Sequence, residues 1–310
     1  MSVLVTGATG NVGSVVVKQL VAAGLDVRAF TRSPEKATFA PGVTPFKGEL
    51  LDVDALRAAI DGVEAVFLLS PVVPDELNVT ISALNLCREA KIKAIAYLSV
   101  FRVEETADVP HFASKFAAER MIAKYNMPVT ILRPNAYMQS PGVKDALGHG
   151  VFPFPIGQKG VSFTDVRDIA EVAVLEIHRR LAAKEALSPE VYEVVAEDVL
   201  TGDTGAKLWN EALGRPIKYV GDDIDQWVQS LRAFAPNWMA YDFKYMMKHF
   251  QEDGPVSTAA GRERLRQRLG RSPRSYHDFA VESEVEAFDF GFLIDAQADH
   301  EIDRLEDDVC

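Results

Sequence analysis

Seven consecutive residues near the start of the chain have the types and spacing to hold a phosphate. Gly7-Ala8-Thr9-Gly10-Asn11-Val12-Gly13 sets three glycines in a G-x-x-G-x-x-G pattern behind the apolar run Val3-Leu4-Val5. The helix-periodic run Val12, Val15, Val16, Leu20, Val21 follows at once. Each glycine has a separable reason. Gly7 turns the chain tightly off the strand, Gly10 clears a side chain where a pyrophosphate approaches the backbone, and Gly13 lets the helix pack close to the sheet. The helix N-terminus adds unpaired N–H groups and the positive end of a dipole. Strand, glycine loop and helix in succession read as a dinucleotide site; the plainer alternative is a glycine turn that only packs helix on sheet. The expected second strand ends Ala29-Phe30-Thr31-Arg32, with Lys36 four residues on. A site for NAD usually places Asp or Glu here, on the ribose 2′-OH. Arg32 instead can fork onto the 2′-phosphate of NADP, a contact of roughly 1.5–3 kcal/mol, or about a tenfold to hundredfold preference. The expected cofactor is therefore NADP, with NADPH preferred over NADH.

A site of this kind needs a sheet behind it, and strand and helix signals alternate through the first half. Strands are expected at Val3–Thr6, Val27–Thr31, Val43–Lys47, Ala65–Leu69, Ala94–Ser99 and Val129–Leu132. Helices are expected at Asn11–Ala23, Val53–Ile60, Glu76–Ala90 and Phe112–Tyr125. Strands separated by helices imply right-handed crossovers and a parallel sheet buried on both faces. The fold class is thus α/β, a doubly wound Rossmann-like sheet, with its ligand crevice at the carboxyl ends of the strands. After Pro134 the pattern breaks into a proline- and glycine-rich stretch, 134–163, of the sort that covers a site. Helices at Val166–Arg180, Ala206–Ala212 and Ile224–Phe234 and strands at Val191–Val195 and Ile217–Val220 are expected to build a smaller C-terminal α/β lobe. The resulting division is a nucleotide-binding domain over 1–150, to which later segments return, a substrate-side lobe over 151–280, and an acidic tail over 281–310.

At 310 residues the chain suits one large α/β domain or such a domain with an appendage. No apolar run reaches the ~20 residues that span a bilayer, and no basic flank marks a secretory signal, so a cytoplasmic protein is expected. Two cysteines, Cys87 and Cys310, make neither a disulfide framework nor a metal cluster. His249, His277 and His300 show no ligand spacing, so no metal is expected. The net charge of −12 is local: residues 278–310 hold twelve acids and one arginine, −11, which leaves about −1 for the body. Just upstream, Arg262, Arg264, Arg266, Arg268, Arg271 and Arg274 form a basic stretch that pairs within the molecule, pairs across a dimer, or stays solvated. A neutral body with an acidic tail disfavours direct nucleic-acid binding. Trp209, Trp227 and Trp238, with Met239, Met246 and Met247, read as core more than as an aromatic substrate wall, and Cys87 reads as buried.

The motifs together resemble the NmrA-like branch of the atypical short-chain dehydrogenases. The resemblance rests on the glycine loop, Thr31-Arg32, Phe67-Leu68-Leu69-Ser70-Pro71, Ile131-Leu132-Arg133-Pro134, Ser114-Lys115 with Glu119, Leu213-Gly214-Arg215-Pro216, and the run from Gly270 to Phe279. It covers about residues 2–280. It implies a Rossmann-type domain with a small C-terminal lobe, usually binding NADP. Such proteins include NADPH-dependent reductases of quinones, dyes and phenylpropanoids, and non-enzymatic redox sensors that control transcription; membership fixes fold better than function. The family's Gly-Asp-Leu is Gly48-Glu49-Leu50 here, so Glu49 and Leu50 are expected beside the adenine, and Ser70 beside the cofactor. Short-chain dehydrogenases use a tyrosine acid and, four residues later on one helix face, a lysine that holds the nicotinamide ribose. This chain reads His111-Phe112-Ala113-Ser114-Lys115 at that spacing: the lysine is present and the tyrosine is a histidine.

Lys115 is accordingly expected beside the nicotinamide. His111 is either an acid for a developing oxyanion or a plain polar residue at a helix start. Ser99, where the family's catalytic serine would sit, either polarises a carbonyl or bonds only backbone. Asn135 and Tyr137 follow the sixth strand, where nicotinamide and substrate should meet, and Tyr137 is a second candidate proton donor. The reading that results is an NADPH-dependent oxidoreductase acting by hydride transfer on a flat conjugated acceptor such as a quinone, enone, imine or dye. Two alternatives stay open: a non-catalytic NADP(H)-binding redox sensor that contacts a partner protein, and a redox-neutral cyclase or isomerase. Small-molecule substrate, no membrane, and a monomer or homodimer complete the expectation.

Overall fold

The computed structural model describes residues 1–140 and 147–289. Seven parallel strands form the main sheet, in the order β3-β2-β1-β4-β5-β6-β8. These are β1 (Ser2–Val5), β2 (Asp26–Thr31), β3 (Val43–Lys47), β4 (Ala65–Leu68), β5 (Ala94–Leu98), β6 (Val129–Pro134) and β8 (Glu190–Val194). Alternate residues point to opposite faces, and each face is buried under helices. Val3, Val5, Ala29, Ala65, Phe67 and Ala96 pack on one side against α1 (Asn11–Ala22) and α5 (Val166–Ala182). Leu4, Phe30, Val66, Leu68, Ile95 and Tyr97 pack on the other. There they meet α2 (Val53–Ile60), α3 (Glu76–Glu89) and α4 (Pro110–Lys124). The α2 helix starts where it does because Asp52 accepts from the amides of Asp54 and Ala55, satisfying donors the helix leaves open. Strand order reverses between β1 and β4, which opens a crevice at their carboxyl ends.

Two elements expected in the small lobe belong to the main sheet instead. β8 pairs with β6 in the register Leu132↔Tyr192, and α5 lays a broad stripe of Ile169, Ala170, Ala173 and Ile177 onto the sheet. The apolar residues at 191 to 195 gain more by extending a sheet already buried on both faces than by founding a second one. The C-terminal lobe is therefore smaller: β7 (Val151–Phe152) pairs with β9 (Lys218–Tyr219), beside α6 (Gly202–Leu213), α7 (Ile224–Leu231) and α8 (Asn237–Asp253). Its core is aromatic. Trp209 and Tyr276 are fully buried, their rings meet edge to face, and the indole N–H donates to the Tyr276 hydroxyl at 3.3 Å. Trp227 is half-buried against this core, whereas Trp238 lies outside it and is 36% exposed.

Two helices the patterning did not predict close the structure, α9 (Ala259–Leu269) and α10 (Tyr276–Asp289). α10 runs through the start of the expected acidic tail, and Glu282 pairs with Arg167 at 2.6 Å. The remainder of that tail lies outside the described residues. The arginine stretch is spent inside the molecule: Arg264 on Glu190 at 2.9 Å, Arg266 on Glu197, Arg268 on Glu176 at 2.7 Å, and both Arg271 and Arg274 on Asp168. α9 thereby lies against β8. Two histidines tether α8 to the start of α4 and to the segment just before it. His249 stands between Asp108 at 2.7 Å and Asp253 at 2.5 Å, and His111 meets Asp242. Burial pushes the Cys87 thiol up to about 12, so it is an inert core residue. Among the described residues no helix is long and apolar enough to cross a membrane, and no cluster of three His, Cys, Asp or Glu is arranged to hold a metal ion.

Candidate active site

The glycine loop turns at the end of β1 as its residue types require. Gly7 adopts φ +61°, and a Cβ there would come within 2.7 Å of the Leu69 side chain. Gly13 is fixed more sharply, though not by the sheet. A Cβ on Gly13 would stand 1.9 Å from the Gly7 carbonyl oxygen, so it is the loop's own backbone that excludes a side chain. At Gly10 the nearest atom to an added Cβ is 3.4 Å away, so its freedom is not demanded by the protein's own packing. Thr9, Gly10 and Asn11 are exposed while Ala8 and Val12 are buried, which presents the backbone of the loop to the crevice. Gly10 is the N-cap of α1 and offers no side-chain cap, and the first turn carries no acid. The open amides of α1 are left for an anion, and nothing in the first turn repels one. Thr6, a residue the sequence did not single out, fixes the floor of the crevice. Its buried hydroxyl donates to the Leu69 carbonyl and accepts from the Leu69 amide, both at 2.8 Å, stitching β1 to β4.

The flanking residues fall along the same edge. Arg32 is exposed at the end of β2, Glu49 is exposed just after β3, and Leu50 is half-buried against the core. Ser70 follows β4, buried, with its hydroxyl 2.7 Å from that of Thr80.

Beyond the reversal point lie the candidate catalytic residues. Lys115 is buried on α4, and its ammonium donates to Glu76 Oε1 at 2.8 Å. Glu76, the first residue of α3, is 1% exposed, and its Oε2 has no hydrogen-bond partner. One turn before Lys115, His111 gives its backbone amide to Asp242 Oδ2 at 2.8 Å and its Nδ1 faces Asp242 Oδ1. The histidine is thus no loose polar residue; α8 holds its ring and leaves Nε2 without a partner among the described residues. Tyr137 lies beyond β6, with its backbone bridged to Thr164. Burial, then the charge of Glu76, pushes its phenol well above the ordinary range, so it keeps its proton.

Two expected site residues are bound into the frame. Ser99 donates to Glu119 Oε1 at 2.5 Å, and Glu119 in turn receives Arg133, which also reaches Glu104 at 2.6 Å. Asn135 donates to the carbonyls of Ser162 at 2.8 Å and Pro255 at 3.1 Å, and its amide N–H is given to Thr164. Its side-chain amide ties the 134–163 segment to the chain leaving α8. Glu76 and Asp242 were missed because their partners are 39 and 131 residues away, with no local spacing to announce them.

The glycine loop, the parallel sheet and the lysine of α4 lie in one chain-long pattern, and the NmrA-like family profile matches residues 1–290. The chain belongs to the NmrA-like family. It is 28% identical over 288 residues to an NAD(P)H azoreductase of Xenophilus azovorans, covering 90% of this chain and 96% of that protein. It is 30% identical over 298 residues to the (4-alkanoyl-5-oxo-2,5-dihydrofuran-3-yl)methyl phosphate reductase of Streptomyces griseus subsp. griseus, covering 92% and 99%. The fold is that of an NADPH-dependent quinone oxidoreductase of Escherichia coli solved with NADPH, with a TM-score of 0.77, 23% identity, and 92% and 99% of the chains covered. The family resemblance drawn from the motifs holds over the whole NmrA-like pattern.

Proposed function

We propose that this protein is an NADPH-dependent reductase of flat conjugated acceptors, of the quinone, azo, enone or dye-like kind. The observation that carries the reading is the uncapped, acid-free start of α1 above Gly10, on the same sheet edge as buried Lys115. Relatives covered almost end to end bear the names of reductases of unsaturated acceptors, which supports the same class. The residues present fit a dinucleotide. The α1 amides would hold its pyrophosphate, Arg32 its 2′-phosphate, and Lys115 its nicotinamide-side ribose. When bound, it supplies the hydride.

What remains is a proton for the reduced acceptor. Tyr137 keeps its proton at any working pH and stands next to the charge of Glu76, so it donates only to a strongly basic anion. His111 offers Nε2 with Asp242 fixing the ring from behind, the arrangement in which imidazole passes a proton near neutral pH. Ser99 and Asn135 hold the crevice walls in place. Acceptors whose reduced forms are weak bases need little acid help, and this suits a site with no tyrosine four residues before its lysine. The substrate is a small molecule.

The test is NADPH oxidation with a panel of quinones, azo dyes and enones. Turnover is expected in the wild type, and Lys115→Met is expected to lower kcat/KM by at least about a hundredfold, a loss of roughly 3 kcal/mol of transition-state stabilisation. Tight NADPH binding without oxidation by any acceptor would favour a regulatory NADP(H)-binding protein. Product formed with no net NADPH consumed would favour a cyclase or isomerase.

A further inference from the structure

Helix α4 begins without a cap of its own. Val109 stands at its N-cap and gives no side-chain bond, and Pro110 has no N–H, so the first open amide is that of His111. Asp242 of α8 meets it from the other lobe. Its Oδ2 accepts the His111 amide at 2.8 Å, and its Oδ1 faces Nδ1 of the same residue. The carboxylate is 1% exposed, and its charge lies at the positive end of the helix. The imidazole is confined by packing as well, with the centroids of the Phe112 and Phe243 rings 4.3 and 5.9 Å from its own. An acid used only as a cap needs one oxygen; here the second is spent on a ring.

Those two contacts determine which nitrogen is protonated. A carboxylate oxygen only accepts, so the hydrogen between Oδ1 and the ring belongs to Nδ1. A neutral His111 therefore carries its proton on Nδ1 and leaves Nε2 bare, and Nε2 holds a proton only in the imidazolium. Nε2 is also the nitrogen that a reacting group can meet. It has no partner among the described residues, and His111 keeps 8% of its surface. Nor is it among the side-chain atoms both sealed and unpartnered, which are Glu76 Oε2, the Tyr97 hydroxyl and Arg268 Nε. Charged side chains on the flanking segments are engaged elsewhere. Lys115, one turn on, pairs with Glu76, and Lys244, beside Asp242 on α8, pairs with Asp225. Asp108, three residues before His111, pairs with His249, which Asp253 also holds.

We propose that Asp242 is a positioning residue that fixes the tautomer of His111, so that a proton reaches the reduced acceptor from the imidazolium alone. The proposal rests on the reductase reading above and deepens it. When hydride reaches a conjugated acceptor, the electron pair it brings leaves a negative oxygen, nitrogen or carbon. The Nε2–H bond breaks, its proton joins that atom, and the ring is left neutral with Nδ1–H still on Asp242. Solvent returns the proton to Nε2. A quinone leaves a weakly basic anion and needs no such donor, whereas an enone leaves a strongly basic enolate and does. The small lobe, through α8, thus governs which acceptors the site can finish.

Asp242→Asn tests this because the substitution has one way to fit. The His111 amide can only donate, so it takes the oxygen of the carboxamide, which turns the NH₂ group toward Nδ1 and requires a bare nitrogen there. Wild type and Asp242→Asn are labelled with ¹⁵N in the histidine rings, and the tautomer is read by NMR at alkaline pH, where imidazole is neutral. Among the six histidines, His111 is identified by the signal lost in His111→Gln. The expected result is Nδ1–H in the wild type and Nε2–H in Asp242→Asn. Nε2–H in the wild type overturns the proposal even should Asp242→Asn fail to fold. A tautomer that the substitution leaves unchanged overturns it too. Turnover supplies the second readout, since in Asp242→Asn an imidazolium would set Nδ1–H against NH₂. The kcat/KM for NADPH oxidation with an enone is expected to fall about tenfold or more, while that with a quinone stays within about threefold. Equal losses for both acceptors would make Asp242 a helix cap only and overturn the proposal, and so would an undiminished enone rate. A swapped tautomer in a protein that turns over no acceptor would fault the reductase reading and leave the hold of Asp242 on the ring intact.

Discussion

Two buried glutamates, Glu76 and Glu176, sit on opposite faces of one sheet and are treated in opposite ways. Glu176 of α5 is as buried as Glu76, yet both of its oxygens are engaged: Thr130 at 3.0 Å and Arg179 at 2.7 Å on Oε2, and Arg268 at 2.7 Å on Oε1. Burial raises its pKa, but the hydrogen bond from Arg179 and the charges of Arg268 and Arg179 outweigh that and hold it below the ordinary value. Around it Arg180 bonds Thr130 and the carbonyls of Val129, Leu187 and Ser188, while the Arg268 Nε meets Glu176 as an ion pair without a hydrogen bond of its own. Glu76 has one lysine and an empty side. The carboxylate met on both oxygens ties α5 to β6 and α9, whereas the one at the start of α3 is met on a single oxygen.

The comparison breaks most readily at Glu176. Glu176→Gln is expected to cost about 2–4 kcal/mol of stability in chemical denaturation, because it removes the carboxylate from the partly buried Arg268 and leaves Arg179 with Glu190 alone. Glu76→Gln is expected to cost less, since it weakens a single pair and keeps an oxygen for Lys115 to donate to. Equal losses would mean that both pairs are structural. A smaller effect is expected at Arg32, exposed and far from either glutamate. Arg32→Ala should reduce the preference for NADPH over NADH by about tenfold to a hundredfold, read by titration, with no change in melting temperature.

The smallest effect concerns the lobe tether. Burial would lower the pKa of His249, but its hydrogen bonds to Asp253 and Asp108 prevail and raise it above 6.5. The stability this gives is fully present below the unfolded-state pKa and is lost as pH rises through the folded-state value. The gap in melting temperature between wild type and His249→Gln should therefore be widest below about pH 6 and close at alkaline pH. A gap that widens with pH would show that the imidazole is not a charged clasp.

The scaffold was legible because its signals are local. An apolar run before Gly7, three glycines, and helices alternating with strands fix a doubly wound sheet with no knowledge of contacts. The partition of the second half was not, since whether the segment after Glu190 joins the large sheet or a small one depends on the free edge of β6. Lys115 was legible from its spacing to His111. Glu76 and Asp242, which decide what those two side chains can do, were not, because an acid at a helix start reads the same whether it faces water or a lysine 39 residues on. The same blindness applied to Ser99 and Asn135, whose polar atoms turned inward to Glu119 and to the Ser162 and Pro255 carbonyls.

The two margins of the sheet differ as well. β3 guards itself with Pro45, which withholds a donor, and with the charge of Lys47. β8, Glu-Val-Tyr-Glu-Val, has no proline, its glutamates are paired with neighbouring side chains, and α9 lies beside it: Arg264 lies over the Tyr192 ring, Leu265 packs with Tyr192 and Val194, and Thr258 holds Glu193. A proteolytic nick or truncation ahead of Thr258 would thus leave a bare, strongly β-forming margin. The fragment would be a template for strand addition by its neighbours, and its failure would look like aggregation with the glycine loop still intact.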